Sequence, residues 1–293
     1  MHDFNHEKPA PLLVPSHPRG YEPSHLLDSP SYEIAFQDKQ FIDSDAARAI
    51  RIDAEVTKPE WFFERYGIRS TIIVFGSARF VDRETALERV QKAANEQALR
   101  KANQELEMSR YYELARQFAF LVSQQNQCRL DAGGNDVYNY VICTGGGPGI
   151  MEAGNRGAYE AGALSIGLNI QLPYEQHPNP YITPQLCFQF HYFAARKLHF
   201  LLRAQALVVF PGGFGTFDEL FEALTLRQTN KMQKLPVIVF GREFWEKTIN
   251  FNHLVETGVI NPEDLELFHY VDSPEEAWEM IQAFHRSNDQ LKP

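Results

Sequence analysis

Short, nearly continuous apolar runs alternate with amphipathic stretches along most of the chain. The runs are Thr71–Phe75, Tyr140–Thr144, Leu164–Ile170, Cys187–Phe190, Ala206–Phe210, Pro236–Phe240 and Leu267–Val271. Runs this short and this apolar predict strands buried on both faces. Between them, helical patterns extend from the glycines at 145–149 to about Ala161, from Ala194 to Arg203, from the loop Pro211–Gly215 to about Gln228, over Glu243–Phe251, and over Pro274–Arg286. Strands alternating with helices predict α/β architecture: a Rossmann-like parallel sheet with helices on both faces, occupying residues 67–293. There is no internal repeat.

Two regions depart from this rhythm. From Arg83 to about Asn126 the sequence is charged and rich in alanine, and it predicts two helices. The first, ETALERVQKAANEQALRKANQEL, is polar on most of its surface, which suits an exposed or subunit-bridging helix; the second is YYELARQFAFLVSQQ. With the loop Asp131–Asp136 they form a helical insertion at about 83–135. The other region is an N-terminal extension, 1–66. Its first 30 residues hold six of the 17 prolines and four of the ten histidines, a density that blocks helix and central strand and predicts an extended arm. The histidines at 2, 6, 17 and 25 are irregularly spaced, as in a solvated tail and unlike a metal site. A helix is expected from about 42 to 66, with Asp43-Ser44-Asp45 as a cap and Ile50, Val56, Trp61 and Phe62 as its apolar face.

Composition narrows the partners. The chain has 293 residues, 44% of them hydrophobic, enough to bury a core without disulfides or a structural metal. A net charge of -10 argues against general nucleic-acid binding and still allows a local pocket for one phosphate. The three cysteines, Cys128, Cys143 and Cys187, are odd in number and lack a Cys-x-x-Cys pair, so a disulfide scaffold and a zinc ribbon are not expected. Cys143 lies in an apolar run and should be a buried, inert thiol. No apolar stretch approaches the roughly 18 residues of a membrane span, and the first residues lack the basic start and apolar core of a signal peptide. The expectation is a cytoplasmic protein without membrane or nucleic-acid partners.

In an open parallel sheet, ligands bind beyond the carboxyl ends of the strands, near the point where strand order reverses. Three glycine-bearing loops fall there: Gly76-Ser77, Gly145–Gly149 and Pro211–Thr216. Glycine admits close approach of a ligand to the backbone, and the helix N-terminus that follows offers free N–H groups and partial positive charge. Neither G-x-x-x-x-G-K-[ST] nor G-x-G-x-x-G is present, so a mononucleotide or sugar phosphate fits better than ATP or NAD. Glu219 lies one turn into the helix after the third loop, where it can favour the helix dipole or face the pocket; Asp218 points about 100° away. Arg196-Lys197, beside the aromatic run Phe190–Phe193, reads either as a solvent-facing pair or as part of an anion site. Phe214, inside the third loop, is placed to touch a ligand. His191 and His199 read as core or surface residues, and no metal and no cofactor are expected.

Taken together, GGGPGIMEAGNRGA, the Arg196-Lys197 helix and PGGFGTFDE resemble the Lonely-guy (LOG) family, Rossmann-fold nucleotide-binding proteins often labelled lysine decarboxylase-like. The resemblance spans roughly Thr71 to Val271. It implies a nucleoside 5′-monophosphate phosphoribohydrolase, which cleaves the N-glycosidic bond of AMP or a cytokinin riboside monophosphate to free base and ribose 5-phosphate. Carried over, Arg196 and Glu219 match the catalytic pair. Gly212, Gly213, Gly215 and Thr216 match the phosphate turn, and Gly145, Gly146, Gly147 and Gly149 its companion loop. Met151 falls where the family lines the base pocket, Gly76 and Ser77 follow the first strand, and Lys197 adjoins the catalytic arginine. Glu152 stands where short plant-like members have glycine, and with the extension and insertion this points to a longer, bacterial-type subgroup. The resemblance also implies a homodimer or higher homo-oligomer, with the helix from Glu219 to about Asn230 as the natural interface element. Two other readings exist. One is a non-catalytic nucleotide or molybdenum-cofactor carrier on the same fold, which would not need the Arg196–Glu219 pair. The other is a pyridoxal phosphate decarboxylase, for which Lys197, Lys231 and Lys234 lack a recognisable context.

Overall fold

The computed structural model describes residues 26–126, 128–172 and 177–289. Most of the proline-rich arm, with its four histidines, lies outside these residues. The chain divides into two compact units, Met1–Asp53 and Ala54–Pro293.

In the first unit, helix α1 (Lys39–Asp43) is capped by Asp38, whose carboxylate accepts from the Phe41 amide at 2.9 Å. A 3-10 turn, Asp45–Ala47, leads into helix α2 (Arg48–Arg65), which runs across the boundary. The expected helix from 42 is thus interrupted: the Ser44 hydroxyl donates to the Phe41 carbonyl and ends α1 before α2 begins. The expected apolar face of α2 is only half right. Val56 and Phe62 pack against the core and Phe63 is buried, whereas Ile50 and Trp61 are about half exposed.

The second unit is built on a seven-stranded sheet, in which every pairing is parallel, from β1 (Thr71–Phe75), β4 (Val141–Thr144), β5 (Ser165–Ile170), β6 (Cys187–Phe190), β7 (Ala204–Val209), β8 (Val237–Phe240) and β9 (His269–Val271). A two-stranded hairpin, β2 (Arg129–Leu130) with β3 (Asp136–Val137), lies apart from it. The order is β6-β5-β4-β1-β7-β8-β9, so the chain builds outward from β1 on one side and then crosses back to lay β7 on the other. The reversal falls at β1 and β7, and the crevice above it is where such sheets hold ligands.

Side-chain alternation along β1 sorts the core into two layers. Ile73 and Phe75 point to the layer containing Phe63 of α2, Phe200 of helix α6 (Phe193–Leu202), Leu220 of α7 (Phe214–Gln228) and Trp245 of α8 (Arg242–Thr248). Ile72 and Val74 point to the other, with Phe118, Ala119 and Val122 of α4 (Glu96–Gln125), Ile150 and Ala158 of α5 (Ile150–Glu160), and Ile281 of α10 (Pro274–Asp289). Cys143 is buried in the first layer, and burial pushes its thiol pKa up, as befits an unreactive side chain.

The insertion forms two helices, but the break is elsewhere than expected. Helix α3 (Arg83–Gln91) is short, and α4 continues unbroken for 30 residues, its start capped by Asn95 accepting from the Ala98 amide at 2.8 Å. The second half of α4 is core. Tyr112, Ala115, Phe118, Ala119 and Val122 recur at helical spacing, and α4 and α5 approach so closely that a Cβ on Gly157 would sit 2.1 Å from the Arg116 carbonyl oxygen. Likewise the pattern 243–251 is two helices, α8 and α9 (Phe251–Glu256), separated where Asn250 caps the second by accepting from the His253 amide. Among the described residues, no helix is long and apolar enough to cross a membrane.

Candidate active site

A cleft of about 850 Å³ opens above the carboxyl ends of β1, β4 and β7. Of the residues named from the sequence, Gly76, Ser77, Gly145, Met151, Arg196, Gly212, Gly213, Phe214, Gly215, Thr216, Asp218 and Glu219 line it. Gly146, Gly147, Gly149 and Lys197 do not.

The loop after β4 is held by the protein itself. Gly149 has φ of 74° and precedes α5, and a Cβ there would fall 2.3 Å from the Ser77 carbonyl oxygen. That oxygen accepts the Ile150 amide at 3.0 Å, and the Ser77 amide donates to Pro211 at 3.0 Å. The three loops are thereby tied by backbone bonds. Three asparagine and threonine side chains complete the support. The Thr144 hydroxyl donates to Asn155 Oδ1 at 2.7 Å and accepts the Gly146 amide at 3.0 Å. Asn179 donates to Asn155 Oδ1 at 2.9 Å and to the Gly146 and Gly147 carbonyls, each at 3.1 Å. Asn155 donates in turn to Ile166. Buried polar groups this fully paired hold a backbone in one shape.

Arg196 lies under this loop. Its Nε donates to the Leu168 carbonyl at 2.7 Å, Nη2 reaches the Gly145 carbonyl at 3.4 Å, and the guanidinium stands 5.1 Å from the Phe200 ring centre. Gly145 leaves room for it: a Cβ there would be 2.5 Å from Arg196 Nη2 and 2.8 Å from Met151 Sδ. Burial presses the Arg196 pKa down, while the Glu219 charge supports it. The residue is therefore not a solvent-facing cation.

Helix α7 starts at the third loop with its N-terminus in the cleft. Gly213, its N-cap, supplies no capping side chain, and the first turn holds no acidic residue. The free N–H groups and the dipole therefore face the cleft unneutralised. Cβ atoms on Gly213 and Gly215 would meet nothing within 4 Å, and Phe214 is 96% exposed. Glu219, one turn further, is 11% exposed. Burial lifts its pKa, Lys197 and Arg196 oppose the rise, and Glu222 and Asp218 reinforce it, leaving the carboxyl at about 7. Arg196 and Glu219 line the same cleft without forming an ion pair with each other.

Lys197 faces α7 from outside the cleft, 2.8 Å from Asp218, 2.9 Å from Glu222 and 3.6 Å from Glu219. Burial lowers its pKa, but hydrogen bonds with Asp218 and Glu222 and the Glu219 charge outweigh this and push it up to about 12. Glu152 does not line the cleft. It accepts the Tyr112 hydroxyl at 2.8 Å, a link from α5 to the insertion helix. The cleft also holds residues the sequence reading missed: Asn169, Phe193, Arg79, Phe80, Phe244 and Thr248. Among the described residues, no group of His, Cys, Asp and Glu is arranged to hold a metal ion.

Residues 151–281 match the family model described as "Possible lysine decarboxylase". The resemblance read from the motifs holds over this segment. A curated relative in Escherichia coli K12, a pyrimidine/purine nucleotide 5′-monophosphate nucleosidase, is 34% identical over 111 residues, 34% of this chain and 24% of that protein. A rice relative (Oryza sativa subsp. japonica), named a "probable cytokinin riboside 5′-monophosphate phosphoribohydrolase", is 24% identical over 157 residues, 52% of this chain and 61% of that protein. The match with the E. coli relative thus spans about a quarter of that protein's length. Among solved structures, the molybdenum cofactor binding protein of Rippkaea orientalis aligns at a TM-score of 0.45 and 16% identity, over 75% of this chain and 98% of that one.

Proposed function

We propose that this protein is a nucleoside 5′-monophosphate phosphoribohydrolase of the Lonely-guy type, with Arg196 and Glu219 as its catalytic residues. The observation that carries this reading is Glu219: a carboxyl 11% exposed, with a pKa near 7, in a cleft that also presents an uncapped helix N-terminus to an anion. The phosphate occupies the turn Gly212–Thr216, where the helix dipole and free N–H groups favour negative charge. That leaves the ribose toward Glu219. Scission of the N-glycosidic bond passes through an oxocarbenium-like state, which a nearby carboxylate stabilises as positive charge builds on the sugar; the same group orients the attacking water. Arg196 stays protonated, so it serves by holding the nucleotide and balancing charge on the departing base, with Met151 beside it. The fixed phosphate lends its binding energy to this alignment.

The names of the E. coli and rice relatives support the nucleotide monophosphate as substrate class. The test is chromatography of free base and ribose 5-phosphate after incubation with AMP, GMP, CMP, UMP, IMP and a cytokinin riboside monophosphate. Release from at least one of them is expected. No release from any, with the protein well folded, overturns the reading. At least a dimer belongs to the same reading, through α7, and a stable species near 34 kDa in light scattering would contradict it.

A further inference from the structure

We infer that Glu55 is a positioning residue for Arg196, acting from a helix that precedes every motif of the cleft. The inference rests on the hydrolase reading above. Helix α6, which carries Arg196, begins after Tyr192, a residue whose side chain caps nothing. The cap comes from α2. The two oxygens of Glu55 accept separate backbone amides, His191 at 2.7 Å and Tyr192 at 3.0 Å. The Tyr192 carbonyl then accepts the Arg196 amide at 3.2 Å, so the residue whose amide Glu55 holds is itself bonded to the Arg196 backbone. A carboxylate on both donors just ahead of a helix also complements the helix dipole.

The grip continues along α6. The Glu55 carbonyl accepts His199 Nε2 at 3.1 Å, and Glu60 holds Arg203 at 2.6 Å. Phe62 and Phe63 meet Phe188 of β6 edge-on, at 5.6 and 5.4 Å between ring centres. Residues 55–63 thus fasten α6 at both ends, and the Glu55 carboxylate is the group among them that bonds the turn just ahead of Arg196. Arg196 itself has two carbonyl acceptors, Leu168 within β5 and Gly145 just past β4, and its reach to them depends on where that turn sits.

Removing the carboxylate leaves two amides without their acceptor and lets the turn shift. A displacement of order 1 Å at a catalytic group costs about 100-fold in rate. Glu55→Ala is therefore expected to lower kcat roughly 10- to 100-fold while KM for AMP stays within about 3-fold, because the phosphate turn on α7 is untouched. Glu55→Gln, which keeps one acceptor, should fall between. The loss should vanish in an Arg196→Ala background, since a residue acting through Arg196 has nothing left to position. An unchanged kcat in Glu55→Ala, or losses that multiply with those of Arg196→Ala, overturns the inference. Amide hydrogen exchange separates this failure from that of the hydrolase reading. At residues 191–196, Glu55→Ala should exchange about 10-fold or more faster than the parent whether or not any nucleotide is cleaved. Unchanged protection there overturns the clamp itself; absence of base release by the parent overturns only the activity.

Discussion

The two glycine-rich loops of the cleft look alike in sequence and differ in what surrounds them. At Gly145, Gly146 and Gly149 an added Cβ would come within 2.5 Å of the protein's own atoms, whereas at Gly213 and Gly215 it would meet nothing within 4 Å. The first loop spends its glycines on closing the molecule against itself: Ser77, Asn169 and Arg196 fill the space. The second is packed against Thr216 and Ser77 at Gly212 and leaves space open beyond it, at the helix N-terminus. A dense run of glycine therefore has two physical causes here, and only the second is a vacancy shaped for a ligand. The first serves the site indirectly, by fixing Arg196 and Met151.

The largest effect should come from the helix behind the open loop. Glu219→Gln keeps shape and removes the charge, so it is expected to lower kcat for AMP hydrolysis about 1000-fold, roughly 4 kcal/mol in the barrier, with AMP binding retained. Turnover within a few-fold of the parent would remove Glu219 from the chemistry and leave the open loop as a binding feature alone.

The self-packed loop should break in stability. Gly149→Ala places a side chain at φ of 74° against the Ser77 carbonyl oxygen, a backbone atom that cannot swing aside. The expected loss is about 3 kcal/mol in urea unfolding, from the left-handed strain together with the clash. A loss below about 1 kcal/mol would mean the loop relaxes, and that its tie to β1 is weaker than the bonds from Ser77 suggest.

These two outcomes bear on what could be read in advance. The positions of the strands follow from apolar runs, because burial on both faces leaves a local mark in every strand; their order in the sheet does not. The cleft residues on glycine loops were legible because glycine clusters stand where strands end and helices begin. The supports were not. Asn155 and Asn179 gain their roles by meeting across 24 positions, and nothing near either residue announces the other. Glu55 is one glutamate on a half-exposed helix, its partners 136 and 137 positions away. The break between α3 and α4 was misplaced because the polar face runs on through Glu107 while the true signal is the cap at Asn95. Lys197 shared a motif with Arg196, and only the structure shows that it turns toward α7.

Acidity offers a smaller, signed effect. The Glu219 carboxyl titrates at about 7 in the folded protein, against about 4.3 unfolded. A group with a raised folded-state pKa contributes stability fully below the unfolded value and loses it as pH climbs through the folded one. Glu219→Gln should therefore unfold like the parent near pH 4 and be more stable than it above pH 7, by about 3 to 4 kcal/mol. In the parent, kcat should rise across pH 7 as the carboxylate forms, opposite in direction to stability. Equal stability of the two proteins at every pH would show that Glu219 is not strained by its burial.

Gly215→Ala sharpens the contrast most finely, because its two effects have opposite signs. Gly215 lies in the first turn of α7, where alanine is the better helix former by up to about 1 kcal/mol and its methyl meets nothing in the protein. Thermal unfolding should therefore show a small stabilisation. The same methyl points into the space that the phosphate is proposed to fill, so KM for AMP should rise about 10-fold, or 1.4 kcal/mol. A glycine kept for packing would lose stability on substitution, as at Gly149. One kept for a ligand gains stability and loses affinity. If Gly215→Ala gains stability and binds AMP as tightly as the parent, the space at the head of α7 is not where the phosphate lies.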